Sequence, residues 1–201
     1  VGAMARAREI SLRASAGPEA KMCIIAPDDP DAMLRHAEEA RQSNLPFLYD
    51  PSFQVTAMDG ERLWAGARGA RALILNDYEF SVFCEKTGKS QEDILAEVEI
   101  QVVTLGEKGS EIRTRDGQVV QVPAARISAV VDPTGAGDAF RGGFVAGLMR
   151  QLPLGTCGRL GSVASAYAVE KYGTQSHAYT RSEFLARYEE NFGKLSEPLL
   201  A

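Results

Sequence analysis

The chain has 201 residues, 45% hydrophobic and 24% charged, with a formal net charge of −5. That is ordinary globular composition, enough for one domain with a substantial core. The acidic balance, with no basic stripe and no aromatic-basic interleaving, argues against nucleic acid as a main partner.

In chain order, Val1 to Ala16 carries three arginines among small residues and lacks the long apolar core of a secretory signal. No stretch is long and apolar enough to span a membrane. Lys21 to Pro27 is a short apolar run closed by prolines and aspartates, which predicts a buried parallel strand. Pro30 or Asp31 opens a helix through Ser43, with Met33, Leu34, Ala37 and Ala40 on one face. Pro46 to Asp50 reads as a second strand stopped by Pro51, and Gly60 to Gly69 as a helix despite its glycines. Ala72 to Asn76 is a third strand, followed by a helix from Tyr78 to Thr87. A further helix runs from Ser90 to about Val98 behind an Ser-x-x-Asp capping signal.

Glu99 to Leu105 predicts a strand, and Ser110 to Arg115 pairs with Gln118 to Pro123 through an Asp116-Gly117 turn. Three helices close the chain: Gly135 to Gln151, Leu154 to Tyr172 and Arg181 to Phe192. Strands alternating with helices predict an α/β fold, a doubly wound, mostly parallel sheet flanked by helices. Neither repeats nor low-complexity linkers interrupt it, so residues 1–201 read as one domain. Cys23, Cys84 and Cys157 form no CxxC pair and read as reduced thiols of a cytoplasmic protein. Only His36 and His177 supply imidazole, far apart in sequence, which argues against a zinc site.

The most informative segment is Val131-Asp132-Pro133-Thr134-Gly135-Ala136-Gly137-Asp138-Ala139-Phe140-Arg141-Gly142-Gly143. A glycine-rich turn enters an apolar helix there. The unpaired N–H groups at such a helix start, at the positive end of its dipole, hold anions. Asp138 falls in the first turn beside that anion position. A kinase needs this pair: N–H groups for the transferred phosphoryl and a carboxylate for the acceptor's proton. The plainer alternative, that Asp138 only caps the helix, explains poorly why Asp132 and Asp138 bracket a run of small residues. A dinucleotide fingerprint fails because Phe140 stands where Gly or Ala is required, and no complete Walker run occurs.

From Asp132 to Gly143 the run resembles the second signature of the PfkB (ribokinase-like) carbohydrate and nucleoside kinases. In that family the loop is an anion hole and its last Asp the catalytic base. The resemblance therefore implies that Gly135, Ala136 and Gly137 form the hole and that Asp138 is the base. Asn76-Asp77-Tyr78-Glu79 resembles the family's Asn-x-x-Glu motif, which organises magnesium water and nucleotide phosphates; a strand-end turn is the alternative for Asn76 and Glu79. Thr104-Leu105-Gly106-Glu107-Lys108-Gly109 resembles a nucleotide-binding turn through Thr104, Gly106 and Gly109, although a tight hairpin turn reads alike. Asp132 and Thr134 occupy positions that bind a monovalent cation, potassium, in ribokinase-like members, with a simple Asp132 turn cap as the alternative. Ser162 falls where the family lines the adenine pocket.

His177, in a Gly173-Thr174-Gln175-Ser176-His177 stretch like that of adenosine-kinase-like members, touches nucleotide or cation or, the favoured reading, fixes a loop. Arg141 either steadies phosphate charge or is a surface arginine. The resemblance implies an ATP- and magnesium-dependent kinase acting on a nucleoside such as adenosine. A sugar kinase of the same family and a catalytically incomplete nucleotide-binding fragment are the alternatives. It also implies that the chain is the C-terminal two thirds of such a kinase, without the N-terminal part and lid. The partner would be a small molecule rather than nucleic acid or membrane, with a homodimer where lid strands are present.

Overall fold

The computed structural model describes residues 2–195. Two compact units make up the chain: one takes in Val1–Thr104 and Arg113–Val119, the other Leu105–Ile112 and Val120–Ala201.

The first unit carries four parallel strands, β1 (Cys23–Ile25), β2 (Phe47–Tyr49), β3 (Ala72–Asn76) and β4 (Ile100–Thr104). Parallel neighbours need crossovers. These are supplied by α2 (Pro30–Gln42), by α3 (Gln54–Ala57) with α4 (Gly60–Ala67), and by α5 (Asp77–Thr87) with α6 (Gln91–Glu97). β2 is wholly buried, and β3 and β4 are buried up to their last residues. Phe47, Tyr49, Leu73 and Leu75 pack with Met33, Ala37, Leu63, Phe83 and Ile94 into one apolar core. β1 departs from the expectation of a buried strand. It is the edge of the sheet, and Ile24 is 46% exposed.

Two further strands, β5 (Ser110–Thr114) and β6 (Val119–Val122), complete a six-stranded sheet in the order β1-β2-β3-β4-β5-β6. The strands lie in the order in which they follow one another along the chain. The turn between β5 and β6 closes as its Asp-Gly pair requires: Gly117 has φ +89, and the Thr114 N–H donates to the Gln118 carbonyl at 3.1 Å.

Sequence periodicity missed the start of the chain. Ala3–Glu9 forms a 3₁₀ helix and Leu12–Ser15 the short α1. Polar contacts to α2 hold them: Arg8 pairs with Asp29 at 2.6 Å, and the Ser11 hydroxyl donates to Glu39 at 3.0 Å.

The second unit contains α7 (Ala136–Met149), α8 (Leu154–Val169) and α9 (Arg181–Phe192). α7 and α8 pack closely, because a Cβ on Gly143 would lie 2.5 Å from the Leu160 carbonyl oxygen. A polar brace ties α8 to α9. Arg187 donates to both oxygens of Glu170, at 2.7 and 2.8 Å, and lies 4.6 Å over the Tyr167 ring. The Arg187 guanidinium, helped by the Ser128 N–H, pulls the Glu170 carboxyl down to about 2. An unfolded-state glutamate titrates near 4.3, so the native state binds fewer protons between these values. The contribution of Glu170 to stability is therefore complete above the upper value and is lost as pH falls toward the lower one. Thermal unfolding between pH 5 and 2 is expected to show this loss, and Arg187→Met is expected to flatten it; an unchanged pH slope in that variant would refute the assignment.

Candidate active site

The loop before α7 is shaped by residues that speak for it locally. Gly135, the residue preceding α7, has φ +84, a left-handed conformation that L side chains rarely adopt. A Cβ there would also meet Thr174 at 3.1 Å, so residue 174 packs directly on the loop. No side chain caps this end of α7. The geometry of a helix start leaves its first N–H groups without partners inside the helix. A Cβ on Gly137 would find nothing within 4 Å, so open space lies above that first turn.

Asp132 braces the loop. Its Oδ1 accepts the Thr134 N–H at 2.9 Å and its Oδ2 the Gly173 N–H at 2.9 Å. The Thr134 hydroxyl, then the N–H groups of Thr134 and Gly173, hold the Asp132 carboxyl below the usual carboxylate range. This is the turn-capping geometry of the simpler sequence reading. Asp138 lies in the first turn of α7 with its side chain 67% exposed, and its Oδ1 forms an ion pair with Arg141. Arg141 is no surface arginine: its residue exposure is 7%. A small-residue run and the i,i+3 spacing hint at the pair, but only the packing buries the guanidinium.

At the end of β3, Asn76 and Glu79 form a reciprocal capping box. Asn76 Oδ1 accepts the Glu79 N–H at 2.7 Å, and Glu79 Oε2 accepts the Asn76 N–H at 2.9 Å. Ser52 adds a contact that sequence reasoning missed, its hydroxyl donating to Glu79 Oε1 at 3.1 Å. Thr104 ends β4 in register with Asn76, which puts the two strand-end positions side by side. Gly106 and Gly109 lie in a turn closed by the Leu105 N–H donating to the Gly109 carbonyl at 2.8 Å.

Ser162 is tied to the backbone: its hydroxyl oxygen accepts the Ala125 N–H at 2.7 Å. Three residues on, Ser165 reaches the loop by donating to the Ala136 carbonyl at 2.7 Å. Sequence reasoning did not single out this Ser165 contact. The His177 ring stacks against Tyr179 at 6.2 Å, while its buried Nδ1 has no hydrogen-bond partner. Gly88-Lys89-Ser90 is a Walker-like tripeptide, but Phe83 stands where the first glycine would be needed. It joins two helices instead, with Gly88 after α5 and Ser90 before α6. Among the described residues no group of three or more His, Cys, Asp or Glu side chains converges to hold a metal.

The chain as a whole is similar to known proteins. The pfkB family carbohydrate kinase pattern covers residues 7–181. The chain belongs to this family. As a PfkB member it is 31% identical over 167 residues to a nucleoside kinase of Methanocaldococcus jannaschii, an alignment covering 83% of this chain and 55% of that protein. The structure superposes on the Burkholderia thailandensis nucleoside kinase in complex with inosine with a TM-score of 0.90 and 39% identity, over 95% of this chain and 63% of the other. Against the same kinase in complex with ADP-inosine the TM-score is 0.91 at 37% identity, over 99% and 63% of the two chains. This PfkB chain therefore spans a little over half the length of the relatives it matches. Among its described residues no helix is long and apolar enough to cross a membrane.

Proposed function

We propose that the protein transfers the γ-phosphoryl group of ATP to a hydroxyl of a nucleoside, adenosine or another purine nucleoside, and that residues 1–201 form part of one PfkB-type kinase domain. The observation that carries this reading is the side-chain-free start of α7 at Gly135, with open space above Gly137 and the exposed Asp138 carboxylate in the same turn. The nucleoside kinases among its relatives support the acceptor class.

In this reading the N–H groups from Gly135 to Asp138 hold the transferring phosphoryl, whose charge they meet as preorganised donors. Asp138 takes the proton of the acceptor hydroxyl as the acceptor oxygen bonds to the γ-phosphorus. The bond from that phosphorus to the β–γ bridging oxygen breaks, and ADP leaves with the electron pair.

Magnesium, when bound, would neutralise phosphate charge. The residues fit an outer-sphere role. Asn76 and Glu79 already spend hydrogen bonds on their capping box, yet their oxygens keep lone pairs for metal-bound water. Thr104, Gly106 and Gly109 would lie along the nucleotide, with Ser162 supporting its adenine end through the Ala125 backbone. Asp132 and Thr134 would offer remaining lone pairs to a potassium ion. Such an enzyme works in the cytoplasm, where ATP is supplied and its three free thiols stay reduced.

The test is magnesium-dependent ADP release from ATP with inosine, adenosine or ribose as acceptor. Stimulation by a nucleoside is the expected result. Stimulation by ribose alone would move the acceptor class to sugars, and ATP binding without turnover would leave a nucleotide-binding fragment.

A further inference from the structure

We propose that Arg141 is the positioning residue of the reaction, holding the Asp138 carboxylate in the orientation that receives the acceptor's proton. The proposal rests on the kinase reading above. Arg141 and Asp138 share one side of α7 at i,i+3 spacing, and their side chains are 9% and 67% exposed. The charged head is thus buried under an exposed carboxylate.

A buried guanidinium is costly unless it is paired, because its lost hydration must be replaced by charge-assisted hydrogen bonds. Asp138 Oδ1 supplies such a partner. Arg141 is itself buried, with 7% of its surface exposed, and a long side chain in so packed a place has few alternative rotamers. Arg141 is therefore an anchored cation, and the carboxylate it holds is confined in turn. With Oδ1 committed to Arg141, Oδ2 of this 67% exposed side chain is the oxygen left to take a proton.

Placement matters because proton transfer and in-line attack both demand geometry held to a fraction of an ångström. An Asp138 free to rotate would spend most of its time turned away from the hydroxyl. Arg141 touches neither acceptor nor phosphate in this scheme; its influence passes through Asp138.

Two readouts on the purified protein test this together. The first is thermal unfolding of Asp138→Ala, Arg141→Met and the double variant. The second is ADP release by the wild type, Arg141→Met and Arg141→Lys with a purine nucleoside. Expected are non-additive stabilities, with the double variant at least as stable as Asp138→Ala, because that single change takes a charge partner from a buried cation. Arg141→Met is expected to lower kcat by about 100-fold with KM for both substrates little changed, and Arg141→Lys to recover part of the loss.

Additive stabilities, or a wild-type kcat in Arg141→Met, would overturn the proposal. Should the Met variant not fold, a folded Arg141→Lys with the kcat and KM of the wild type would do the same. An inactive wild type with non-additive stabilities would show that the pair exists but the kinase reading fails, and the positioning role with it.

Discussion

Asp138→Asn is expected to lower nucleoside-stimulated ADP release by about 100- to 10,000-fold, the range that general-base catalysis contributes. Asn keeps the size of the side chain and an oxygen for Arg141 but cannot take a proton. ATP binding should survive, because in the proposed reading the phosphate contacts come from backbone N–H groups at the start of α7, where no side chain caps the helix. Steady-state kinetics with a parallel measurement of ATP affinity checks both halves. Wild-type turnover in the variant would remove Asp138 from the mechanism. Lost ATP affinity would instead mean that the substitution had disturbed the loop.

Gly109→Ala carries the largest expected loss of stability, about 2–5 kcal/mol when an excluded backbone conformation and a steric clash are combined. Gly109 has φ +93, and its added Cβ would fall 1.9 Å from the Val122 carbonyl oxygen, a backbone atom that no rotamer change can remove. Gly106 makes the contrast. It also has positive φ, at +58, but a Cβ would meet nothing within 4 Å. Gly106→Ala should therefore cost only about 1–2 kcal/mol for its left-handed backbone. Urea unfolding of the two variants separates them. If Gly109→Ala unfolded like the wild type and only the KM for ATP rose, the glycine would serve ligand approach rather than the turn. The sequence reading left those two roles open.

Much of the local structure was legible because its causes lie within a few residues. The capping box of Ser90 with Asp93 was read from its three-residue spacing, and the structure adds boxes of the same spacing at Asn76 with Glu79 and at Thr180 with Glu183. The strand Ala72–Asn76 and the helix Arg181–Phe192 fell on their expected residues, since apolar runs and caps mark both ends. The start of the chain was not legible. Ala3–Glu9 has no apolar period of its own and depends on partners in α2, where Arg35 donates to the Arg8 carbonyl at 2.7 Å.

The candidate site divides along the same line. Sequence alone determined the Asp132–Gly143 run as a glycine-rich turn into an apolar helix, and the chemistry a carboxylate at a helix start can offer; the structure added the left-handed Gly135. Tertiary structure decided which partners those groups meet. It buried Arg141 under Asp138, brought Ser165 to the Ala136 carbonyl and Ser162 to the Ala125 N–H, and set Ser52 against Glu79. Backbone conformation answers to nearest neighbours, so a local motif predicts it. Burial and side-chain pairing depend on residues distant in sequence, and these meet only when helices and strands pack.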